Sequence, residues 1–98
     1  QADMSEKAEE VAGLLGLMAN RSRLLILCRL VEGPASVGAL AEAIDLSQSA
    51  LSQHLAKLRR ADLVTTTRQG QFITYRLASK EAETLMRTLY DLYCAPPD

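Results

Sequence analysis

A mainly α-helical fold carrying a single β-hairpin is what this sequence predicts, and three observations predict it. Apolar residues recur at helical spacing in five segments, four of them preceded by an Asn or Ser placed to cap a helix. Two short runs rich in β-branched and aromatic residues flank Gln69-Gly70-Gln71, a short turn containing glycine. With 98 residues the chain has room for one compact core, which excludes an enzyme with separate cofactor and substrate lobes.

From Ser5 to Met18, the residues Ala8, Val11, Leu14, Leu15 and Met18 follow helical spacing, and Glu6, Glu9 and Glu10 occupy the early turns, where the helix dipole favours acids. Asn20 caps a second helix, Arg21 to Val31. Glu32-Gly33-Pro34 ends it, because Gly permits left-handed backbone and Pro cannot continue. Leu24, Leu25, Ile26, Leu27, Cys28, Leu30 and Val31 wrap most of its circumference, so it is expected at the centre, buried. Ser36 caps a short third helix, Val37 to Ile44, and after Asp45-Leu46, Ser47 opens a fourth that runs to about Ala61. Residues 36–61 thus lay out a helix-turn-helix. On the fourth helix Leu51, Leu55 and Leu58 turn to one side, while Ser49, Gln53, Ala56 and Arg60 turn to the other, flanked by Ser52 and Lys57.

Leu63 to Arg68 and Phe72 to Leu77 read as the hairpin, over residues 63–77, with Ile73, Tyr75 and Leu77 directed inward and Thr74 and Arg76 outward. Ser79 caps a last helix whose main stripe is Leu85, Leu89 and Leu92. It must stop near Cys94, because Pro96 biases Ala95 away from helix and Pro97 continues the break. Together these elements make one winged helix-turn-helix domain over residues 1–98.

Apolar residues are 48% of the chain and charged residues 23%, which excludes disorder and low-complexity fibres. A domain of this size buries only roughly 60 to 65% of its unfolded surface, which favours a homodimer. Val11, Leu15, Leu85, Leu89 and Leu92 exceed what so small a core can use and are expected to pair across a two-fold axis. No run approaches the ~18 to 20 apolar residues of a membrane span and the N-terminus is acidic, so no membrane partner and a cytoplasmic location are expected.

The net charge of −1 argues by itself against nucleic acid, but its distribution does not. Residues 1–19 sum to −3, 20–46 to 0, 47–77 to +4 and 78–98 to −2. A basic middle therefore coincides with the fourth helix and the hairpin. Ser49, Ser52 and Gln53 near the start of that helix suit a DNA major groove, since Gln can pair with adenine through two bonds and Ser can donate or accept. Lys57, Arg59 and Arg60 would meet phosphates. With the neighbours Ser47, Gln48 and His54, and the hairpin-tip residues Arg68, Gln69 and Gln71, these form the candidate set for double-stranded DNA. His54 has Leu51 and Ala50 at i−3 and i−4, so no Ser–His pair forms within the helix, and half-buried packing or a phosphate contact is its expected role.

The stretch LMANRSRLLILCRL, then SVGALAEAIDLSQSALSQHLAKLRRADLV, then ITYRL, resembles the ArsR/SmtB family of small dimeric bacterial repressors, over nearly the whole chain. The resemblance implies a homodimer formed through the first and last helices, an inverted-repeat operator, and a wing reaching backbone or the adjacent minor groove. Where arsenic and cadmium sensors of that family carry paired cysteines, this chain has Ser36-Val37-Gly38-Ala39, and its last helix lacks the histidines of the zinc and nickel sensors. No metal and no cofactor are therefore expected. A cysteine late in the second helix paired with one ending the fifth is similar to the persulfide-sensing branch. That implies a redox switch of Cys28 and Cys94, with reactive sulfur species as inducer.

Taken on residues alone, Cys28 reads as a small core hydrophobe and Cys94 falls clear of the leucine stripe; the attacking sulfur is left open. Two alternatives also stay open: a metal-responsive or redox-indifferent regulator of the same fold, and a winged helix used only for protein contacts. No acid–base pair, phosphate loop or metal cluster points to an enzyme.

Overall fold

The computed structural model describes residues 3–94. Its elements run α1 (Met4–Met18), α2 (Arg21–Val31), β1 (Ala35–Ser36), α3 (Val37–Ile44), α4 (Gln48–Arg60), β2 (Val64–Gln69), β3 (Phe72–Leu77) and α5 (Lys80–Tyr93). Each helix start is fixed by a side chain that accepts a bond from a backbone N–H three residues on, one of the donors a helix end leaves free. The acceptors are Asp3 Oδ1 for Glu6 at 3.3 Å, Asn20 Oδ1 for Arg23 at 3.0 Å, Ser36 Oγ for Ala39 at 3.1 Å, Ser47 Oγ for Ala50 at 3.1 Å and Ser79 Oγ for Ala82 at 3.0 Å. The cap at Asp3 starts α1 one residue earlier than Ser5.

α2 is the hub, packing on α1, α3, α4, α5 and β3. Its Ile26, Leu27 and Leu30 meet Leu40 and Ile44 of α3, Leu51, Leu55 and Leu58 of α4, Val64 of β2, and Ala82 and Met86 of α5 in one buried cluster. Burial does not reach all round the helix, because Leu25 remains exposed. The corner between α3 and α4 is made by Asp45, which caps α3 in the left-handed region at φ 50°. An aspartate tolerates that backbone better than most side chains.

The sheet has the order β1-β3-β2, antiparallel throughout. Gln69 pairs with Phe72, so the connection is the two residues Gly70-Gln71, with Gly70 at φ 61° supplying the backbone such a tight turn demands. The strand β1 was not expected. Its two residues are too few to carry an alternation, and pairing with Tyr75 and Thr74 is what makes them a strand.

One expected inward position is corrected. Ile73 is 42% exposed, because the outer half of the hairpin projects past the helices with no layer behind it. On α5 the residues turned to α2 are Ala82 and Met86, Leu85 and Leu89 are half-buried, and Leu92 is 71% exposed. α5 ends at Tyr93 with Cys94 as its cap, as expected; Ala95, Pro96 and Pro97 lie outside the described residues. Among those described, no single helix is long and apolar enough to cross a membrane.

Candidate functional site

Leu51, Leu55 and Leu58 anchor α4 in the core, which forces its opposite face outward. Gln48, Ser49, Ser52, Gln53, Lys57, Arg59 and Arg60 are all exposed there. The Ser47 hydroxyl accepts from Ala50 as the cap and retains its proton to donate outward. Lys57, Arg59 and Arg60 fall in the last turn, where unpaired carbonyls favour cations. His54 is half-buried, and its pKa lies below the ordinary 6.5 through burial first, then the neighbouring Arg23 of α2, then Lys57.

At the hairpin tip the Arg68 Nε donates to the Gly70 carbonyl at 2.9 Å, which folds this guanidinium back over the turn beside the exposed Gln69 and Gln71. Ion pairs among the described residues join Lys7 to Glu10 and Arg87 to Glu83, both remote from this face. Lys57, Arg59, Arg60, Arg68 and Arg76 make none, so α4 and the hairpin present uncompensated positive charge.

The second constellation lies where α2 packs on α5. Cys28 is half-buried on α2, and Cys94 is exposed as the cap of α5, its N–H donating to the Tyr90 carbonyl at 2.7 Å. Both are free thiols. They line one apolar pocket of about 250 Å³ with Leu24, Leu25, Met86, Leu89, Tyr90 and Tyr93. Burial pushes the Cys28 thiol above its ordinary range, aided by the adjacent Cys94 and Glu32. Among the described residues no group of three or more His, Cys, Asp or Glu side chains is arranged to hold a metal ion.

Sequence reasoning did not find Tyr90 and Tyr93 as walls of this pocket, although Tyr90 stands one helical turn before Cys94. Nor did it place Arg23 beside His54, a contact between helices that no local pattern encodes.

Residues 20–66, from the cap of α2 into β2, match the family described as bacterial regulatory protein, arsR family. The transcriptional activator HlyU of Vibrio cholerae is 46% identical over 94% of this chain and 85% of its own length. The chain belongs to the ArsR family. The biofilm growth-associated repressor of Agrobacterium fabrum is 43% identical over 97% of this chain and 81% of its own.

Among solved structures, HlyU from Vibrio cholerae superposes with a TM-score of 0.88, covering 94% of this chain and 100% of that one. The homodimeric winged helix-turn-helix DNA-binding domain Mb0332 from Mycobacterium bovis has a TM-score of 0.78 at 29% identity, covering 94% and 86%. This ArsR-family chain is therefore a DNA-binding winged helix-turn-helix regulator of transcription, and its relatives are regulators rather than enzymes.

Proposed function

We propose that the whole chain is one DNA-binding domain of a homodimeric repressor that holds an inverted-repeat operator when reduced and releases it when reactive sulfur species link Cys28 to Cys94. The observation that carries the switch is the pocket shared by two free thiols that stand 66 residues apart in sequence. Ser47, Gln48, Ser49, Ser52 and Gln53 read base edges in this account. His54, Lys57 and Arg60 hold phosphates, and Arg68, Gln69 and Gln71 engage the neighbouring minor groove or backbone. The protein acts in the cytoplasm, with no metal, cofactor or membrane involved.

Support for the dimer comes from the exposed Leu15 of α1 and Leu92 of α5, and from an apolar groove between those helices lined by Val11, Leu14, Thr84 and Leu85. The structurally similar Mb0332 domain is homodimeric, and a two-fold axis generates two half-sites. HlyU is named an activator and the Agrobacterium relative a repressor. DNA occupancy is common to both signs of control, and we assign repression here.

In this account the more exposed thiol, Cys94, reacts first. The open Cys94 thiolate attacks the outer sulfur of a persulfide RS–SH, that S–S bond breaks, RS⁻ leaves, and Cys94 carries –S–SH. The Cys28 thiolate then displaces HS⁻ from it to give a disulfide. When Cys28 has itself become a persulfide, the same displacement gives a trisulfide. Each added sulfur lengthens the reach by roughly 2 Å, so the separation of the thiols selects the bridge.

The test is mass spectrometry and operator binding after treatment with polysulfide, glutathione disulfide or peroxide. The expected result is an intramolecular sulfur link between Cys28 and Cys94 together with release from DNA, and Cys28→Ser and Cys94→Ser proteins that bind but ignore the treatment. Release of the double serine variant by polysulfide refutes the switch, and release of the wild type by zinc or copper alone moves the assignment to metal sensing.

A further inference from the structure

We infer that the groove between α4 and β3 seats the sugar-phosphate backbone of one DNA strand, with the Tyr75 hydroxyl donating to a phosphate oxygen and Arg59 and Arg60 neutralising it. The inference rests on the DNA-binding reading of α4 and the wing, and it adds the groove beside β3, with its Tyr75, to the contacts of the α4 face and the hairpin tip. A helix in the major groove and a wing at the adjacent minor groove are separated by one strand of the duplex, and that strand must pass between them. A groove of about 380 Å³ lies at that place, lined by Ser52, Ala56, Arg59, Arg60 and Tyr75.

Its chemistry suits a phosphodiester. Ser52 and Ala56 are one helical turn apart and form a floor of two small side chains, so a backbone can approach the helix closely. Arg59 and Arg60 line the same groove, and neither is paired with an acid among the described residues. Tyr75 is half-buried: its ring packs on the core cluster and its strand neighbours are Thr66 and Ala35, while its hydroxyl has no protein hydrogen-bond partner among the described residues. Ser52, exposed on α4, lies at the edge shared by this groove and the base-reading face.

The test uses fluorescence anisotropy on an operator duplex selected from random sequence and on an unrelated duplex. Tyr75→Phe keeps the ring and the thermal melt, and it should weaken both duplexes about 5- to 10-fold without changing the salt dependence, because the lost bond is to a charged oxygen but carries no charge itself. Ala56→Leu, at an exposed position that does not support the core, fills the floor and should cost both duplexes more than tenfold. With methylphosphonate placed singly along each strand, the loss at one internal phosphate per half-site should shrink in Tyr75→Phe and in Arg59→Gln.

Wild-type affinity in Tyr75→Phe, tight binding by Ala56→Leu, or losses that simply add at every phosphate would overturn the groove assignment while leaving DNA binding intact. A wild-type protein that shows no salt-dependent binding to any duplex overturns both.

Discussion

The cationic face of α4 and the hairpin makes a quantitative demand on the salt dependence of DNA binding. Lys57, Arg59, Arg60, Arg68 and Arg76 are free of ion pairs among the described residues, so each can displace a counterion from DNA. Doubled by a two-fold axis, they set a ceiling of about ten neutralised phosphates, which corresponds to a slope of log affinity against log salt of about −9. Raising salt from about 50 to 200 mM then weakens binding by up to roughly 10⁵-fold.

Arg60→Gln removes about two of those contacts from the dimer, so the slope should become about 1.8 units shallower and the loss over the same salt range about tenfold smaller. The weakening should be equal on operator and unrelated duplexes. Arg87→Gln, on α5 and already paired with Glu83, serves as the control and should leave the slope unchanged. Anisotropy titrations at four salt concentrations measure all of this. A variant that loses affinity at constant slope removes Arg60 from the phosphate contacts, and a shallow slope in the wild type assigns the basic face to a protein partner.

Three further outcomes are expected. Asp45→Val places a β-branched side chain at φ 50° and should cost about 1 to 2 kcal/mol in urea unfolding, whereas Asp45→Gly should be tolerated, since glycine meets no steric penalty there. The pKa of His54 is held below the ordinary 6.5, so as pH falls through the window just below 6.5 the unfolded chain binds protons the folded chain does not, and stability drops. His54→Gln should flatten that decline in thermal melts between pH 7.5 and 5. Iodoacetamide should label the exposed Cys94 first, with Cys28 following only at higher pH because burial raises its thiol; peptide mapping that finds Cys28 labelled first would reverse the proposed order of attack.

The helix-turn-helix was legible because its signals are local: Asn20, Ser36, Ser47 and Ser79 are each followed three residues on by the N–H they accept, and the Leu51-Leu55-Leu58 row has one orientation only. What escaped depends on neighbours distant in sequence. Two residues become the strand β1 only because β3 passes beside them. Ile73 alternates correctly but has nothing behind it, and Ala82 and Met86, the buried residues of α5, lie outside the leucine stripe that the pattern shows. The outward face of α4 followed from its leucine row. The meeting of Cys28 with Cys94 followed from the family resemblance and not from spacing, because a separation of 66 positions contains no distance information.

Those two thiols also bracket most of the chain. Everything between them, from the end of α2 through α3, α4 and the hairpin to α5, becomes a closed ring once a sulfur link joins them. Closing a loop of that length removes conformational freedom from the unfolded chain worth about 4 kcal/mol at 25 °C in the chain-entropy description. Under the proposed switch, the linked form released from DNA would thereby be the one harder to unfold. On that proposal, a cell emerging from sulfur stress would keep its stock of regulator folded and restore control by reduction without new synthesis.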